Sequence, residues 1–278
     1  MALADRGDRA ACESGHSFDF ARSGYLNLIP GGAGRRRIGD TPEMIRARAE
    51  FLGRGFLEPV AEAVARAATL SDGVPRSVAE IGSGTGYYLE RVCTGLSAAR
   101  SGAICGFGVD LSASAAAHAA RAHPERCFLV ADVERRVPLA DRSAGVVLSV
   151  FSPRPAAECA RITHPGGVLV AAFATDRHLE GLRERHDLLS VHPDKLERLS
   201  SRLSPWFSHS GAETVDHQVT LQPKDVANAI AMGPSARHRR GEARVESQPI
   251  AERISVKIAR FERRAGEGRS EFPGRPSG

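Results

Sequence analysis

Two hydrophobic patterns alternate along the chain from about residue 77 onward. Short apolar runs bounded by glycine, proline, aspartate or serine predict strands at Ser77–Ile81, Ile104–Val109, Cys127–Ala131, Gly145–Phe151 and Gly167–Phe173. Segments with apolar residues every three or four positions predict helices at Tyr87–Leu96, Ala113–Ala122 and Pro155–Ile162. Parallel strands need crossover connections, so this order predicts a doubly wound α/β fold with helices on both faces of a parallel sheet.

The flanking segments have weaker patterns. Residues 1–39 are rich in glycine and arginine and predict a small irregular module. Thr41 followed by Pro42 predicts the start of a helix, and a second helical pattern runs from Phe56 to about Leu70. Later elements are predicted as helix His192–Leu203, strand Val215–Leu221, helix Pro223–Met232 and strand Ile254–Phe261. We therefore divide the chain into a module at 1–39, a main domain at 40–262 and a disordered tail at 263–278.

Composition narrows the class of protein. The chain has 278 residues, 42% hydrophobic and 26% charged, and no apolar run approaches the ~18–20 residues of a membrane-spanning helix. Residues 1–11 lack the apolar stretch of a secretory signal, so we expect a cytoplasmic protein without a membrane partner. The five cysteines are scattered singly, which is typical of reduced thiols.

The charge leaves two interpretations open. The formal net charge is +5, and arginines cluster at 35–37 and across the C-terminal third, including Arg260, Arg263 and Arg264. A basic surface of this kind suits a polyanionic partner such as nucleic acid. The alternative is an ordinary solvated surface in an arginine-rich chain.

A glycine-rich turn follows the first predicted strand of the main domain. Its glycines fall at 82, 84 and 86, and Glu80 precedes the first by two residues. Glycine allows a tight turn and close approach of a ligand to the backbone amides of the next helix. The spacing differs from the dinucleotide G-x-G-x-x-G and resembles the first motif of class I methyltransferases, although a purely structural turn remains an alternative. The predicted S-adenosylmethionine ligands in this segment are Glu80, Gly82, Gly84, Thr85 and Gly86.

Two acidic residues end the following strands. Asp110 comes about two dozen residues after the turn, where a carboxylate can accept both ribose hydroxyls of a cofactor. It could instead cap the next helix, a role for which Ser112 competes. Asp132 ends the third strand, where class I methyltransferases commonly hold the adenine amino group.

Longer motifs narrow the resemblance further. Beyond the glycine turn, they are Cys12–Asp19, Gly24–Leu28, Gly39–Met44, Val150–Arg154 and Ala231–Ser235. With these motifs the chain resembles the RlmA family of 23S rRNA (guanine-N1)-methyltransferases, especially its tylosin-resistance branch. The resemblance covers residues 12 to about 261.

The resemblance carries specific expectations. It implies a class I, Rossmann-like methyltransferase fold with a mostly parallel seven-stranded sheet, and S-adenosylmethionine as cofactor. The partner would be 23S rRNA, methylated at N1 of a guanine in a domain II hairpin, with protection against macrolides such as mycinamicin or tylosin. The oligomeric state stays open, a homodimer being one of the assemblies allowed.

Candidate catalytic residues follow the fourth strand. An enzyme that acts on a stacked base commonly exposes it and stacks it on an aromatic side chain, and Phe151 is placed for that task. Ser152 and Arg154 are candidate hydrogen-bond partners of the base. Phe151 could equally fill the core. By the resemblance, His178 contacts the cofactor, since it matches a family histidine that follows the fifth strand.

Two departures from the family concern the N-terminal module and one helix. The family's module holds zinc with four cysteine and histidine ligands, of which only Cys12 and His16 stand here. Either the module is degenerate and lacks zinc, or the first ligand pair lies upstream of Met1, which we favour. Leu57 stands where some relatives have a cofactor-contacting tyrosine.

Two other functions compete with rRNA methylation. A small-molecule methyltransferase of natural-product biosynthesis would share the turn, Asp110 and Asp132, but would not explain Cys12, His16 or the arginine clusters. A non-catalytic RNA-binding protein would keep the fold without methyl transfer.

Overall fold

The computed structural model describes residues 4–5, 9–11, 17–29, 39–69, 71–100, 102–189, 194–233 and 246–264. The strands among them are β1 (Ala4–Asp5), β2 (Arg9–Ala11), β3 (Ser17–Asp19), β4 (Leu26–Asn27), β5 (Ser77–Ile81), β6 (Cys105–Asp110), β7 (Cys127–Val130), β8 (Ala144–Val150), β9 (Thr163–Ala174), β10 (Phe207–Leu221) and β11 (Ile250–Arg263). The helices are α1 (Pro42–Gly53), α2 (Glu58–Ala67), α3 (Tyr87–Arg100), α4 (Ala113–Ala122), α5 (Ala156–Ile162), α6 (Glu180–His186), α7 (Lys195–Leu203) and α8 (Pro223–Ala231).

An eight-stranded sheet forms the centre of the molecule, in the order β10-β11-β9-β8-β5-β6-β7-β4. The five pairs from β9 to β4 are parallel, and only β11 runs antiparallel to its two neighbours. The predicted mostly parallel α/β sheet is therefore confirmed. Seven of its strands match the expectation, and β4 is an additional short strand at one edge.

The N-terminal region contributes to two sheets, whereas the sequence predicts one irregular module. Strands β1, β2 and β3 form a small antiparallel sheet of their own. Strand β4 pairs in parallel with β7 of the main sheet, and Leu26 is buried there. Leu26 and Asn27, which the sequence analysis assigned to the module, thus add a short strand to the main sheet.

Two hydrophobic layers cover the two faces of the sheet. On one face, α1 to α4 and α8 pack side chains such as Phe51, Val64 and Leu89 against Val146 and Val170. On the other, α5 and α7 contribute apolar residues such as Ile162, Leu199 and Leu203. Strands buried on both faces read as continuous apolar runs, which explains why the sequence predicts β5 to β9 well.

Local signals agree with the structure in α1. The hydroxyl of Thr41 accepts a hydrogen bond from the amide of Met44 at 3.3 Å, and Pro42 is the first helical residue. This is the predicted N-cap followed by proline. The helix then buries Met44, Ile45, Phe51 and Leu52.

The C-terminal third differs most from expectation. Strand β10 begins at Phe207 and pairs with β11 along its whole length, so both strands are longer than predicted. Helix α6 was not predicted. Arg263 ends β11 rather than opening a tail, and residues 265–278 lie outside the described residues, as does the start of the predicted helix at His192.

Candidate active site

The parallel strands end at one edge of the sheet, where open α/β sheets bind their ligands. The glycine turn follows β5, Asp110 ends β6 and Asp132 follows β7. Phe151 follows β8, and His178 comes four residues after β9. The topology therefore brings the predicted cofactor and catalytic residues to a common edge.

The glycine turn depends on its glycines for backbone conformation and for space. Gly82, Gly84 and Gly86 have φ values of 69°, 53° and 78°, which favour glycine. A Cβ on Gly82 would lie 2.5 Å from Cβ of Ser152, and one on Gly86 would lie 2.9 Å from the ring of Phe128. The turn is thus packed tightly against Ser152 and Phe128.

Asp110 connects the turn to the end of β6. One carboxylate oxygen accepts a hydrogen bond from the amide of Gly84 at 2.8 Å, and the other accepts from the amide of Ser112 at 2.8 Å. Ser112 itself caps α4, because its hydroxyl accepts from the amide of Ala115 at 3.1 Å. The capping role belongs to Ser112. Each Asp110 oxygen keeps a second lone pair for a ribose hydroxyl.

Glu80 lies inside the protein rather than at the surface of the turn. Its side chain is 1% exposed, and one oxygen accepts a hydrogen bond from the amide of Leu89 in α3 at 3.0 Å. Burial raises the pKa of the Glu80 carboxyl well above its usual value. This contact ties β5 to the first turns of α3, so Glu80 positions the cradle from beneath.

Asp132 lies beside Asp110 at the ends of the neighbouring strands, and Thr85 lies within the glycine turn. Asp132 accepts a hydrogen bond from the amide of Glu134 at 3.1 Å and lies 3.7 Å from Arg135 in an ion pair. The preceding residue, Ala131, donates its amide to the carbonyl of Asp110 at 3.0 Å, which holds the two acidic strand ends side by side. Thr85 is buried within the turn.

A row of aromatic rings borders the cradle. The ring of Phe151 lies 6.4 Å from the ring of Tyr88 and 6.1 Å from that of His178, with which it is stacked. Phe151 is 43% exposed and has a left-handed φ of 51°, an unfavourable conformation for a bulky residue. The core-filling alternative for Phe151 is therefore disfavoured, since a strained backbone presents an open ring to solvent at the sheet edge.

His178 has a defined protonation. Its Nδ1 accepts a hydrogen bond from the amide of Ser255 at 3.2 Å, so Nδ1 carries no proton. Burial, followed by the nearby charge of Arg183, lowers the pKa of His178 to about 4. Near neutral pH the ring is uncharged and presents an N–H at Nε2.

Ser152 and Arg154 lie below the edge. The Ser152 hydroxyl donates to the carbonyl of Ile81 at 2.5 Å and lies 2.9 Å from the hydroxyl of Ser149, so it locks the end of β8 to the turn. Arg154 donates to the carbonyl of Ala172 at 3.2 Å and stacks over Phe173. Burial lowers the pKa of Arg154 to about 10, so it stays charged near neutral pH. Both side chains are engaged by protein groups.

Arg48 was missed by the sequence reasoning. It forms an ion pair with Asp40 at 2.6 Å and donates to the carbonyl of Met232 at 2.9 Å. A Cβ on Gly84 would lie 3.2 Å from its guanidinium. Arg48 lies on the buried side of α1, four residues from both Met44 and Leu52, where a charged residue is unusual. The sequence therefore did contain a signal for it.

Tyr88 was also missed. It follows the glycine turn in the first turn of α3, and its hydroxyl is buried without a hydrogen-bond partner in the described part of the chain. Burial raises the pKa of this hydroxyl well above its usual value. A buried polar group without a partner is costly in a folded protein, so a ligand group that bonds it would be stabilised.

The cradle fits S-adenosylmethionine. It offers a tight glycine turn with positive φ values, a carboxylate for the ribose at Asp110, and the Tyr88 hydroxyl, unpartnered within the described residues, beside the aromatic row. For zinc, the sequence carries two of the four ligands that the resemblance implies. Residues 1–35 supply only Cys12 and His16, both outside the described residues, where structural zinc takes four ligands. Among the residues described, no group of three or more candidate ligands is assembled.

Solved structures share this fold. The YcgJ protein of Bacillus subtilis is 16% identical, with 74% of this chain and 98% of that chain covered and a TM-score of 0.51. The methyltransferase complexed with the Haloferax volcanii Trm112 activator is also 16% identical, with 81% and 97% covered and a TM-score of 0.52. At this identity the likeness concerns the fold alone.

Family models and curated relatives identify the chain more narrowly. A model described as "Methyltransferase domain" matches residues 79–171, and one described as "RlmA, N-terminal" matches residues 1–35. The chain is 39% identical to a Micromonospora griseorubida protein assigned by name to the 23S rRNA (guanine-N(1)-)-methyltransferases, over 90% of this chain and 89% of the relative. It is 38% identical to the 23S rRNA (guanine(748)-N(1))-methyltransferase of Streptomyces fradiae, over 82% and 80%. The chain belongs to the RlmA family of 23S rRNA (guanine-N(1)-)-methyltransferases.

Proposed function

We propose that this chain transfers a methyl group from S-adenosylmethionine to N1 of a guanine in a domain II hairpin of 23S rRNA. The methylation would protect the ribosome against macrolides such as mycinamicin or tylosin. The names and the extent of identity of the curated relatives support the reaction. The observation that carries it here is the open Phe151 ring beside the cofactor cradle.

The site residues divide into two functions. The glycine turn, Asp110 and Asp132 hold the cofactor, which supplies an electrophilic methyl group. Phe151 stacks the exposed guanine, and base stacking on an aromatic ring contributes about 1–3 kcal/mol. Methyl transfer is an in-line displacement, so fixing the guanine N1 in front of the methyl group supplies much of the acceleration.

The proton on guanine N1 leaves during the reaction. His178 is not suited to take it at Nδ1, because that atom already accepts the amide of Ser255. Its Nε2–H can instead donate to the cofactor or the base. We therefore assign His178 a positioning function and solvent the function of proton acceptor.

Within the described residues, no helix is long and apolar enough to span a bilayer. Some arginines of the C-terminal third are engaged inside the protein. Arg263 donates to the carbonyls of Ala160 and Trp206 at 3.1 and 3.0 Å, and Arg260 bonds Thr69 and Ser210. The arginines at 35–37 and 237–240 lie outside the described residues.

The reaction is tested by incubating the protein with tritiated S-adenosylmethionine and unmodified 23S rRNA, followed by primer extension. A stop at a domain II guanine is the expected result. Label transferred to a macrolide would replace our proposal with a small-molecule methyltransferase. Absence of label in both, with cofactor bound, would indicate a non-catalytic RNA-binding protein.

Replacement of the stacking ring tests the function of Phe151. Phe151→Ala removes the ring beside His178 and Tyr88, and we expect kcat/KM for RNA methylation to fall by roughly 10- to 100-fold. Cofactor affinity by calorimetry should change little. Leu189→Ala is the matched control, since Leu189 is also an exposed large hydrophobic residue. Equal activity of the two variants would contradict the stacking function.

A further inference from the structure

A second cavity lies beside the aromatic row, on the other face of the sheet from the glycine turn's helix. It has a volume of about 190 Å³ and lies between the end of β9, the strands β10 and β11, and the start of α7. None of the cofactor residues assigned above lines it. Its lining includes Phe173, Thr175, Lys195, Thr214, Ser255 and Lys257.

The cavity adjoins the site where the guanine would be held. Ser255 lines the cavity and donates its amide to His178, which stacks on Phe151. Phe173 also lines it and carries the guanidinium of Arg154 over its ring at 5.5 Å. A nucleotide stacked on Phe151 would therefore have its neighbouring backbone near this cavity.

Lysine is concentrated at this cavity. The chain contains three lysines, and all of its other basic residues counted with them are arginines. Two of the three lysines, Lys195 and Lys257, line the cavity. Both are half-buried, and neither makes an ion pair or a hydrogen bond with the residues that the structure describes. The third, Lys224, pairs with Glu50 at 3.0 Å on the surface. An unpaired ammonium group in a cavity is a compact donor for phosphate oxygens.

The other charged groups leave this positive charge in excess. Asp216 is satisfied by the hydroxyl of Ser255 at 2.8 Å, by Arg253 at 2.5 Å and by Arg177 at 3.6 Å. Asp176 is the second carboxylate of the lining and is exposed.

Neighbouring cations also affect Lys195. Burial lowers the pKa of Lys195, and the positive charges of Arg154 and Arg183 lower it further. An incoming anion would relieve this repulsion.

Resting on the function proposed above, we propose that this cavity binds a backbone phosphate of the RNA next to the target guanine, with Lys195 and Lys257 as its ligands. The hydroxyl of Thr214, which faces the cavity from β10, is a further donor. One fixed phosphate and one stacked base together define the orientation of the nucleotide, so the site would set which base enters.

The test measures binding of a synthetic domain II hairpin RNA as a function of salt. We expect the double variant K195A/K257A to bind about tenfold or more weakly. The slope of log K against log salt should fall by about 0.7–0.9, the value for one lost phosphate contact. Lys224→Ala is the control, because it removes one positive charge from a lysine outside the cavity, and its slope should equal that of the wild type.

Calorimetry with S-adenosylmethionine separates this inference from protein damage and from the proposed function. The double variant should bind the cofactor as the wild type does. If truncation to alanine destabilises the chain, K195Q/K257Q, which keeps most of each side-chain stem, serves in its place and should show the same loss of RNA binding. If both double variants bind RNA with the affinity and slope of Lys224→Ala, the phosphate site is wrong while rRNA methylation stands. If the wild type itself neither binds nor methylates the hairpin, both proposals fail.

Discussion

At the scale of single residues, Asp110 has the most demanding environment in the site. Both of its oxygens accept backbone amides, from Gly84 and from Ser112, while the cofactor ribose would use their remaining lone pairs. An asparagine of the same shape can accept at one position only. Its NH₂ group would face an amide N–H at the other.

We therefore expect Asp110→Asn to weaken cofactor binding at least about tenfold, since a charged hydrogen bond contributes roughly 1.5–3 kcal/mol. Calorimetric titration with S-adenosylmethionine measures the effect. Asp141→Asn is a suitable control because Asp141 is 66% exposed and pairs with Arg161 away from the turn. An unchanged dissociation constant in the Asp110 variant would remove the ribose assignment.

His178 makes stability depend on pH in a known direction. Its pKa lies near 4 in the folded protein and near 6.5 in the unfolded chain, so the unfolded state binds the proton more readily. The contribution of the neutral ring is fully present above about pH 6.5 and is lost as the pH falls toward 4.

The variant His178→Asn retains an acceptor for the Ser255 amide but does not titrate. Between pH 6.5 and 4, its unfolding midpoint should fall less steeply than that of the wild type. Thermal unfolding at several pH values provides the measurement. Parallel curves for the two proteins would show that the ring does not change its protonation on folding.

At the scale of elements, the glycine turn owes its form to packing as much as to ligand binding. Gly86→Ala would place a Cβ 2.9 Å from Phe128 and His123 at a φ of 78°. Strain and overpacking together should cost about 2–4 kcal/mol of unfolding free energy. Gly95→Ala in α3 is the control, since its Cβ would meet only Ala65 at 4.0 Å. That change should stabilise the protein by up to about 1 kcal/mol, as denaturant unfolding can measure.

The elements also show where sequence reasoning succeeds and where it ends. Strands β5 to β9 are recognisable because burial on both faces demands continuous apolar runs, and ligands at their ends follow from topology. The first half of β10 is polar and exposed, so only its pairing with β11 makes it a strand. The pattern of α1 marks Arg48 as an unusual charged residue, but its contact with Met232, 184 positions away, is visible only in the structure. The two cavity lysines likewise come from elements that are distant in sequence, α7 and β11, so no local pattern predicts that they lie close together.

At the scale of the whole molecule, we propose that the N-terminal module and the methyltransferase domain divide between β3 and β4. The residues assigned to the cofactor all follow β4, and β4 completes the edge of the main sheet. We therefore expect the two parts to be separable at about Gly24.

A deletion of residues 1–23 should leave the cofactor dissociation constant unchanged within about twofold, while methylation of 23S rRNA falls at least about tenfold. Calorimetry and tritium transfer measure the two properties. A longer deletion, through Gly39, also removes buried Leu26 and should destabilise the domain by about 2 kcal/mol or more. Loss of cofactor binding in the shorter variant would mean that the module belongs to the same cooperative unit.

The scarcity of lysine also governs how the protein can be handled. Besides the terminal amine, reagents directed at primary amines find three side chains, two of them in the proposed phosphate cavity. Immobilisation on a sensor chip through amines would therefore attach the molecule by its RNA-facing surface and mask the interaction under study. The exposed thiols of Cys105 and Cys127, on β6 and β7, offer attachment points elsewhere on the molecule.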